Sequence, residues 1–250
     1  RLGALTAGTA RTAEEAREIL VVDVRGVKVA ILAYTYGMNG FTAPSDKLWM
    51  VNVIDTAKMS ADVKRARQEG ADLVIVSIHN GVEYQRQPSA SQERVEQAMI
   101  DAGADVVLGS HPHVIQPMKT VPAISADGKP RTAFIIHSLG NFVSNQRERF
   151  RDTGLLLHLA FEKDLRTGTV ALVSVEYVPV WVDDTSERGK EHRVLPIREA
   201  LDDPAYPGVT EADRVKMRQA WSDTTGHLGS TEVTPSDPAA LVFYGAPIGR

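Results

Sequence analysis

The 250-residue chain has no cysteine, which excludes disulfides and metal sites built on thiolates. No run of eighteen apolar residues occurs, and no charged-then-apolar opening reads as a signal peptide, so neither a membrane-spanning helix nor a leader is expected within it. A surplus of one charge is also missing: 32 acidic and 28 basic residues leave a net charge of −4, interspersed along the chain. That balance gives no broad attraction to nucleic acid or to an anionic membrane surface. Aromatic residues are sparse, at 6%. What is present suffices for a globular fold, because 43% hydrophobic residues in this length can bury one large core or two modest ones.

The chain contains an internal echo. Gly70-Ala71-Asp72-Leu73-Val74-Ile75-Val76-Ser77-Ile78-His79 and Gly103-Ala104-Asp105-Val106-Val107-Leu108-Gly109-Ser110-His111 share a glycine at a helix end, Ala-Asp, a β-branched run and a terminal histidine. Each run is apolar enough to predict a strand buried on both faces, and each glycine suits a left-handed helix cap. Between them, residues 91–100 have helical spacing, and Ser89 with Gln92 fits a capping box. The pattern predicts a βαβ unit. Its parallel strands end at one sheet edge, the place where open α/β sheets bind ligands.

The second run leads into His111-Pro112-His113, with the proline expected to hold His111 extended and both rings on one side. Topology should bring His79 to the same place. Neutral imidazoles gathered at a strand end suit a first-row transition metal, whereas the alternative is a loop of solvated histidines.

Elsewhere, Thr12-Ala13-Glu14-Glu15 reads as the capping box of a short helix through Ile19, and Arg25-Gly26 as the turn of a hairpin. The Tyr34–Gly40 stretch either lines a site mouth or is only a turn. Residues 59–69 predict a helix, Thr132–Ile136 a strand, Leu155–Trp181 a long hairpin turning at 164–168, and Glu211–Trp221 an outer helix. Beyond Gly226 a meandering tail is expected. Arg147, Arg149 and Arg151 could meet an anionic polymer or phosphate, or line a solvated loop. His137 reads as a supporting or surface group, and His158 as structural.

Three stretches together resemble the capsule-synthesis (CapA-type, poly-gamma-glutamate) family of the calcineurin-like metallophosphatase superfamily. They are His79-Asn80-Gly81-Val82-Glu83-Tyr84, Gly103 through Gln116, and Ser138-Leu139-Gly140-Asn141-Phe142-Val143, and the likeness covers roughly residues 3–230. Asn80, Ser110 and His137 depart from the residues the family often carries. The resemblance implies an α/β metallophosphatase-like four-layer αββα sandwich, here its C-terminal part, with a parallel βαβ unit and antiparallel hairpins. It implies a domain over 1–205, followed by a helix and tail over 206–250, with the carboxylate-bearing first half lying upstream. It implies His79, His111 and His113 as ligands of two divalent ions (Mn, Fe or Zn).

Asn141 then either donates to a phosphate or hydroxide ligand or caps its own turn. Glu83 either orients His79 or is an exposed ion-pair carboxylate. The implied role is capsule polymer synthesis, through a metal-dependent hydrolase acting on a phosphoester or polymer linkage, or through a non-catalytic assembly subunit. Partners would be an anionic polymer or phosphoester and capsule-complex subunits, with no nucleic acid. The full-length protein would be extracytoplasmic and membrane-anchored.

Overall fold

The echo in the sequence is an echo in three dimensions. In the computed structural model, which describes residues 3–184, 192–228 and 234–235, β3 (Leu73–His79), α2 (Ala90–Ala102) and β4 (Val106–Ser110) form the expected βαβ unit. Gly103 caps α2 in the left-handed region at φ 117°, where a residue without Cβ is unstrained. The paired aspartates have equivalent jobs. Asp72 accepts from Lys28 N at 2.8 Å and Asp105 from Val74 N at 2.7 Å, so each carboxylate closes the first rung to the preceding strand.

Around this unit a six-stranded sheet runs β1-β2-β3-β4-β6-β5, with β1 (Leu20–Val24), β2 (Val27–Thr35), β5 (Met118–Ile124) and β6 (Pro130–Ile136). The central strands are parallel, and the two edge pairs are antiparallel. Arg25 and Gly26 turn the first hairpin, both at positive φ. Edge strand β5 was not anticipated: polar Lys119 and Thr120 blur its alternation, and Pro122 is tolerated because an edge need not donate outward.

α1 (Thr56–Gln68) starts three residues before the predicted helix, because Asp55 accepts from the amides of Ala57 and Lys58. Met59 and Val63 of α1, with Met99 and Ile100 of α2, pack in one core with Val74, Val76, Ile78 and Val107 of the sheet. Burial on both strand faces is observed at the start of β4, where Val106 and Val107 are both 0% exposed, but does not extend along β3. In β3 the face carrying Val74, Val76 and Ile78 is buried, while that carrying Ile75, Ser77 and His79 is half-buried. The helix predicted near Thr12 is only a 3₁₀ turn at Glu15–Arg17. Thr12 Oγ1 accepts from Glu15 N as expected, but the Glu15 carboxylate binds Arg11 instead of reaching back to the Thr12 amide.

The chain divides into two compact units, Arg1–Gly140 with Ala160–Ser174 and Asn141–Leu159 with Val175–Arg250, so the boundary between them passes near 140 and through a hairpin. That hairpin pairs β7 (Thr153–Lys163) with β8 (Val170–Asp184), and β8 also pairs β9 (His192–Pro196) and β10 (Thr234–Pro235). In the second unit, α3 (Ile197–Asp202) and α4 (Glu211–Leu228) bury Ile197, Ala200, Met217 and Ala220 with Trp181 and Leu195. α4 runs seven residues past the predicted end. The tail expected beyond Gly226 lies outside the described residues from 229, apart from β10. Among the described residues no helix is long and apolar enough to cross a membrane.

Candidate functional site

The parallel register decides what meets at the carboxyl edge of the six-stranded sheet. Thr35 pairs with His79 and His79 with Ser110, so the residues that follow, Tyr36, Asn80 and His111, leave the sheet side by side. The His79 and His111 rings lie 4.9 Å apart between centroids, and the His111 and His113 rings 6.2 Å. The three predicted imidazoles are thus gathered, His79 and His111 as a close pair and His113 further off.

The backbone that gathers them departs from expectation. His111 sits at φ 102° and His113 at φ 59°, so the turn is not extended. It is folded back toward the loop after β3, where Asn80 N donates to Ser110 O at 3.0 Å and Tyr84 N to Pro112 O at 2.8 Å. Residues with a Cβ seldom adopt such angles unless their surroundings impose them.

Each ring has an identifiable environment. His79 Nδ1 lies 3.0 Å from Ser110 Oγ, which turns Nε2 away from Ser110. Burial, then the charges of His111 and His113, hold the His79 imidazole below its ordinary value. Burial also lowers His111, with Glu83 opposing and His113 reinforcing the shift. Both shifts favour the neutral imidazole, the form with a lone pair available. Glu83 is exposed and its charge bears on His111, so the partner orienting His79 is Ser110.

Tyr36 and Tyr84 flank the histidines. The Tyr36 ring is 4.5 Å from His111 and 6.1 Å from His79, and Tyr84 is 6.1 Å from His113. Tyr36 N donates to His79 O, and its hydroxyl to Asn39 Oδ1 at 2.6 Å. The Tyr34–Gly40 stretch thus contributes a wall to the cluster.

His137 is buried and carries its Nδ1 2.5 Å from Glu96 Oε2, well away from solvent. Asn141 belongs to the second unit. Its amide donates to Arg151 O at 2.7 Å and to Gln146 Oε1 at 3.3 Å, which closes the 141–151 loop. Within that loop Arg149 pairs with Asp223 and Arg147 donates to Val182 O.

Among the described residues, no three or more His, Cys, Asp or Glu side chains form a ready-made cage for an ion. The donor chemistry nevertheless fits a transition metal. Two imidazoles sharing one ion at bonds of about 2 Å have centroids roughly 5 Å apart, which the His79–His111 pair matches.

Comparison with known proteins gives the relationship. A profile described as bacterial capsule synthesis protein PGA_cap matches residues 1–146. The capsule biosynthesis protein CapA of Bacillus anthracis is 31% identical over 199 residues, covering 78% of this chain and 43% of that protein. The PGA biosynthesis protein CapA of Bacillus subtilis (strain 168) is 33% identical over 150 residues, covering 56% of this chain and 34% of that one. The chain therefore spans less than half the length of these curated relatives. Solved structures with some likeness include the Haemophilus influenzae NAD nucleotidase, at 12% identity and TM-score 0.40 over 93% of this chain and 38% of that one. Another is a putative 5′-nucleotidase from Staphylococcus aureus, at 14% identity and TM-score 0.43 over 87% and 36%. With over half its length matched by the profile and a relative at 31% identity across most of it, the chain belongs to the bacterial capsule synthesis protein (PGA_cap) family.

Proposed function

We propose that this chain carries the imidazole side of a divalent-metal centre in a capsule biosynthesis protein, a centre that hydrolyses a phosphoester or a linkage of the anionic capsule polymer. The observation that carries the reading is the His79–His111 pair at 4.9 Å, with Ser110 occupying Nδ1 of His79. His79 and His111 would hold one ion and His113 would serve a second, with carboxylates supplied from elsewhere in the full-length protein. Imidazole donors suit Mn, Fe or Zn. When bound, such ions supply positive charge that polarises a phosphoryl or acyl oxygen and makes water more acidic.

The chain's own residues set the geometry. Ser110 fixes the His79 ring, burial favours the neutral forms of His79 and His111, and Tyr36 covers one side of His111. In the full-length protein, the polymer and other capsule-machinery subunits are the partners and the setting is extracytoplasmic and membrane-anchored.

In a second reading the protein handles or assembles polymer and any metal is structural, which is equally compatible with the incomplete cage among the described residues. Metal content by elemental analysis of the full-length protein, with hydrolysis of bis-p-nitrophenyl phosphate and of poly-gamma-glutamate, separates the two. Bound metal, with turnover abolished by His111→Ala, supports the hydrolase. Metal without turnover on either substrate supports the assembly role, and a metal-free protein that cannot be loaded overturns the hydrolase.

A further inference from the structure

Beneath the histidine turn runs a buried chain of carboxamides that the metal-centre reading does not use. Gln92 and Gln116 are both 0% exposed, although glutamine normally seeks solvent. Gln92 Nε2 donates to His137 O at 2.7 Å and to Gln116 Oε1 at 2.8 Å. Because a carbonyl can only accept, the first bond settles which end of the Gln92 amide is nitrogen. Its oxygen therefore points the other way, where a Cβ built on Gly81 would lie 2.8 Å from Gln92 Oε1 and 3.0 Å from Pro112 Cγ.

Gln116 extends the chain. Its Nε2 donates to Gln85 O at 2.8 Å and Gln87 O at 3.1 Å, and its backbone N donates to Ser138 O at 3.1 Å. Four segments are tied by two side chains: the first turn of α2, the loop after β3, the segment after His113 and the end of β6. The same loop carries Tyr84, itself at φ 66°, whose amide holds Pro112 O. His111 and His113 keep positive φ only while something over-determines the turn between them. The bridge braces both the loop that grips Pro112 and the space beside its ring.

We propose that Gln92 and Gln116 are positioning residues for the imidazole cluster, setting metal affinity by holding the strained His111-Pro112-His113 turn in shape. This rests on the metal-centre reading above. It goes further by assigning two residues that touch no ligand atom.

The test is Co2+ titration of the full-length protein, followed by absorption spectroscopy, for wild type, Gln92→Met, Gln116→Met and Gln92→Asn. The methionine variants keep volume and remove the bridge, while the asparagine keeps the amide and is one methylene too short to span both acceptors. Ser89→Ala is the control: Ser89 Oγ accepts from Gln92 N, so the variant weakens the same helix start but leaves the carboxamides in place. Co2+ binding weaker by about 10- to 100-fold in the Gln variants, with an altered Co2+ spectrum and with Ser89→Ala matching wild type, is the expected result. Folded Gln variants that bind Co2+ like wild type overturn the inference and leave the metal reading standing. Equal losses in Ser89→Ala also overturn it, because they mark a role in stability alone. If all three Gln variants fail to fold, the bridge is a folding element and the inference falls. If wild type and His111→Ala bind Co2+ equally, the metal reading itself fails and takes the inference with it.

Discussion

Ser110 Oγ lies 3.0 Å from His79 Nδ1, and the contact follows directly from the β3–β4 register, which sets these two residues opposite one another. The hydroxyl fixes the ring orientation and leaves Nε2 as the nitrogen not engaged by Ser110. Ser110→Ala removes the partner at little cost in packing. Zn2+ affinity measured by chelator competition should drop by about 10- to 100-fold, with unfolding free energy changed by less than about 1 kcal/mol. Unchanged affinity would show that His79 is oriented by something else, or is no ligand.

Burial pushes the Glu96 carboxyl above its ordinary 4.5, against the opposing pull of its hydrogen bond to His137. A carboxyl with a raised folded pKa binds more protons folded than unfolded between the two values. Its contribution to stability is complete below the unfolded value and lost as pH rises through the folded one. Glu96→Gln keeps an acceptor for His137 Nδ1 and removes the titration. Urea midpoints measured from pH 4 to pH 8 should decline less steeply for the variant than for wild type across the window above 4.5. Parallel curves would place the titration elsewhere.

Much of the first unit was legible because its signals are local. The β-branched runs at 73–78 and 106–108, and glycines able to cap at 70 and 103, mark the βαβ unit without any knowledge of packing. The gathering of His79, His111 and His113 followed from topology alone. Other features were hidden for physical reasons. Gln92 occupies the capping-box position, and nothing in its spacing tells that the side chain turns inward to Gln116 instead of back to the helix start. The Tyr34–Gly40 stretch could be read either as lining a site mouth or as a turn, because aromatic residues in a loop carry no periodic signal, and Tyr36 joins the cluster from it. The positive φ of His111 is imposed by hydrogen bonds from Asn80 and Tyr84, and residue type alone argued the reverse.

Strand ends approach very closely at Gly109, where a Cβ would come 1.9 Å from His137 O and 2.9 Å from Ile136 O. Both neighbours are backbone and cannot swing aside. Gly109→Ala must therefore separate β4 from β6 below the histidine cluster. A loss of about 3 kcal/mol or more in urea unfolding is expected, and a loss below about 1 kcal/mol would mean the strands part easily.

Gly226 presents the opposite case. It lies inside α4, is exposed, and a Cβ there would meet nothing within 4 Å. Alanine restricts the unfolded chain and suits the helix, so Gly226→Ala should stabilise by about 0.5–1 kcal/mol. In a thermal scan that is a rise of roughly 1–4 °C for a chain of this size, provided the second unit is the one that melts first. In a Trp49→Phe background, which removes the tryptophan of the first unit, Trp181 and Trp221 fluorescence reports on the second unit directly, since both lie in it.

In the same unit Trp181 Nε1 donates to Asp152 Oδ2 at 2.8 Å, and both residues are buried. The carboxylate also accepts from Thr153 Oγ1 at 3.1 Å, so the indole is one of its donors and cannot be replaced by water at a buried position without rearrangement. Trp181→Phe preserves most of the aromatic surface and removes that donor, and about 1–3 kcal/mol of stability should be lost. If the cost is the stranded carboxylate, then removing the carboxylate as well must recover part of it. The double variant Trp181→Phe/Asp152→Ala should therefore be more stable than the sum of the single losses predicts, by about 0.5–2 kcal/mol in a urea double-mutant cycle. Strict additivity would assign the loss to packing of the smaller ring against Leu195 and Met217, its neighbours in the core, and leave the hydrogen bond without an energetic role.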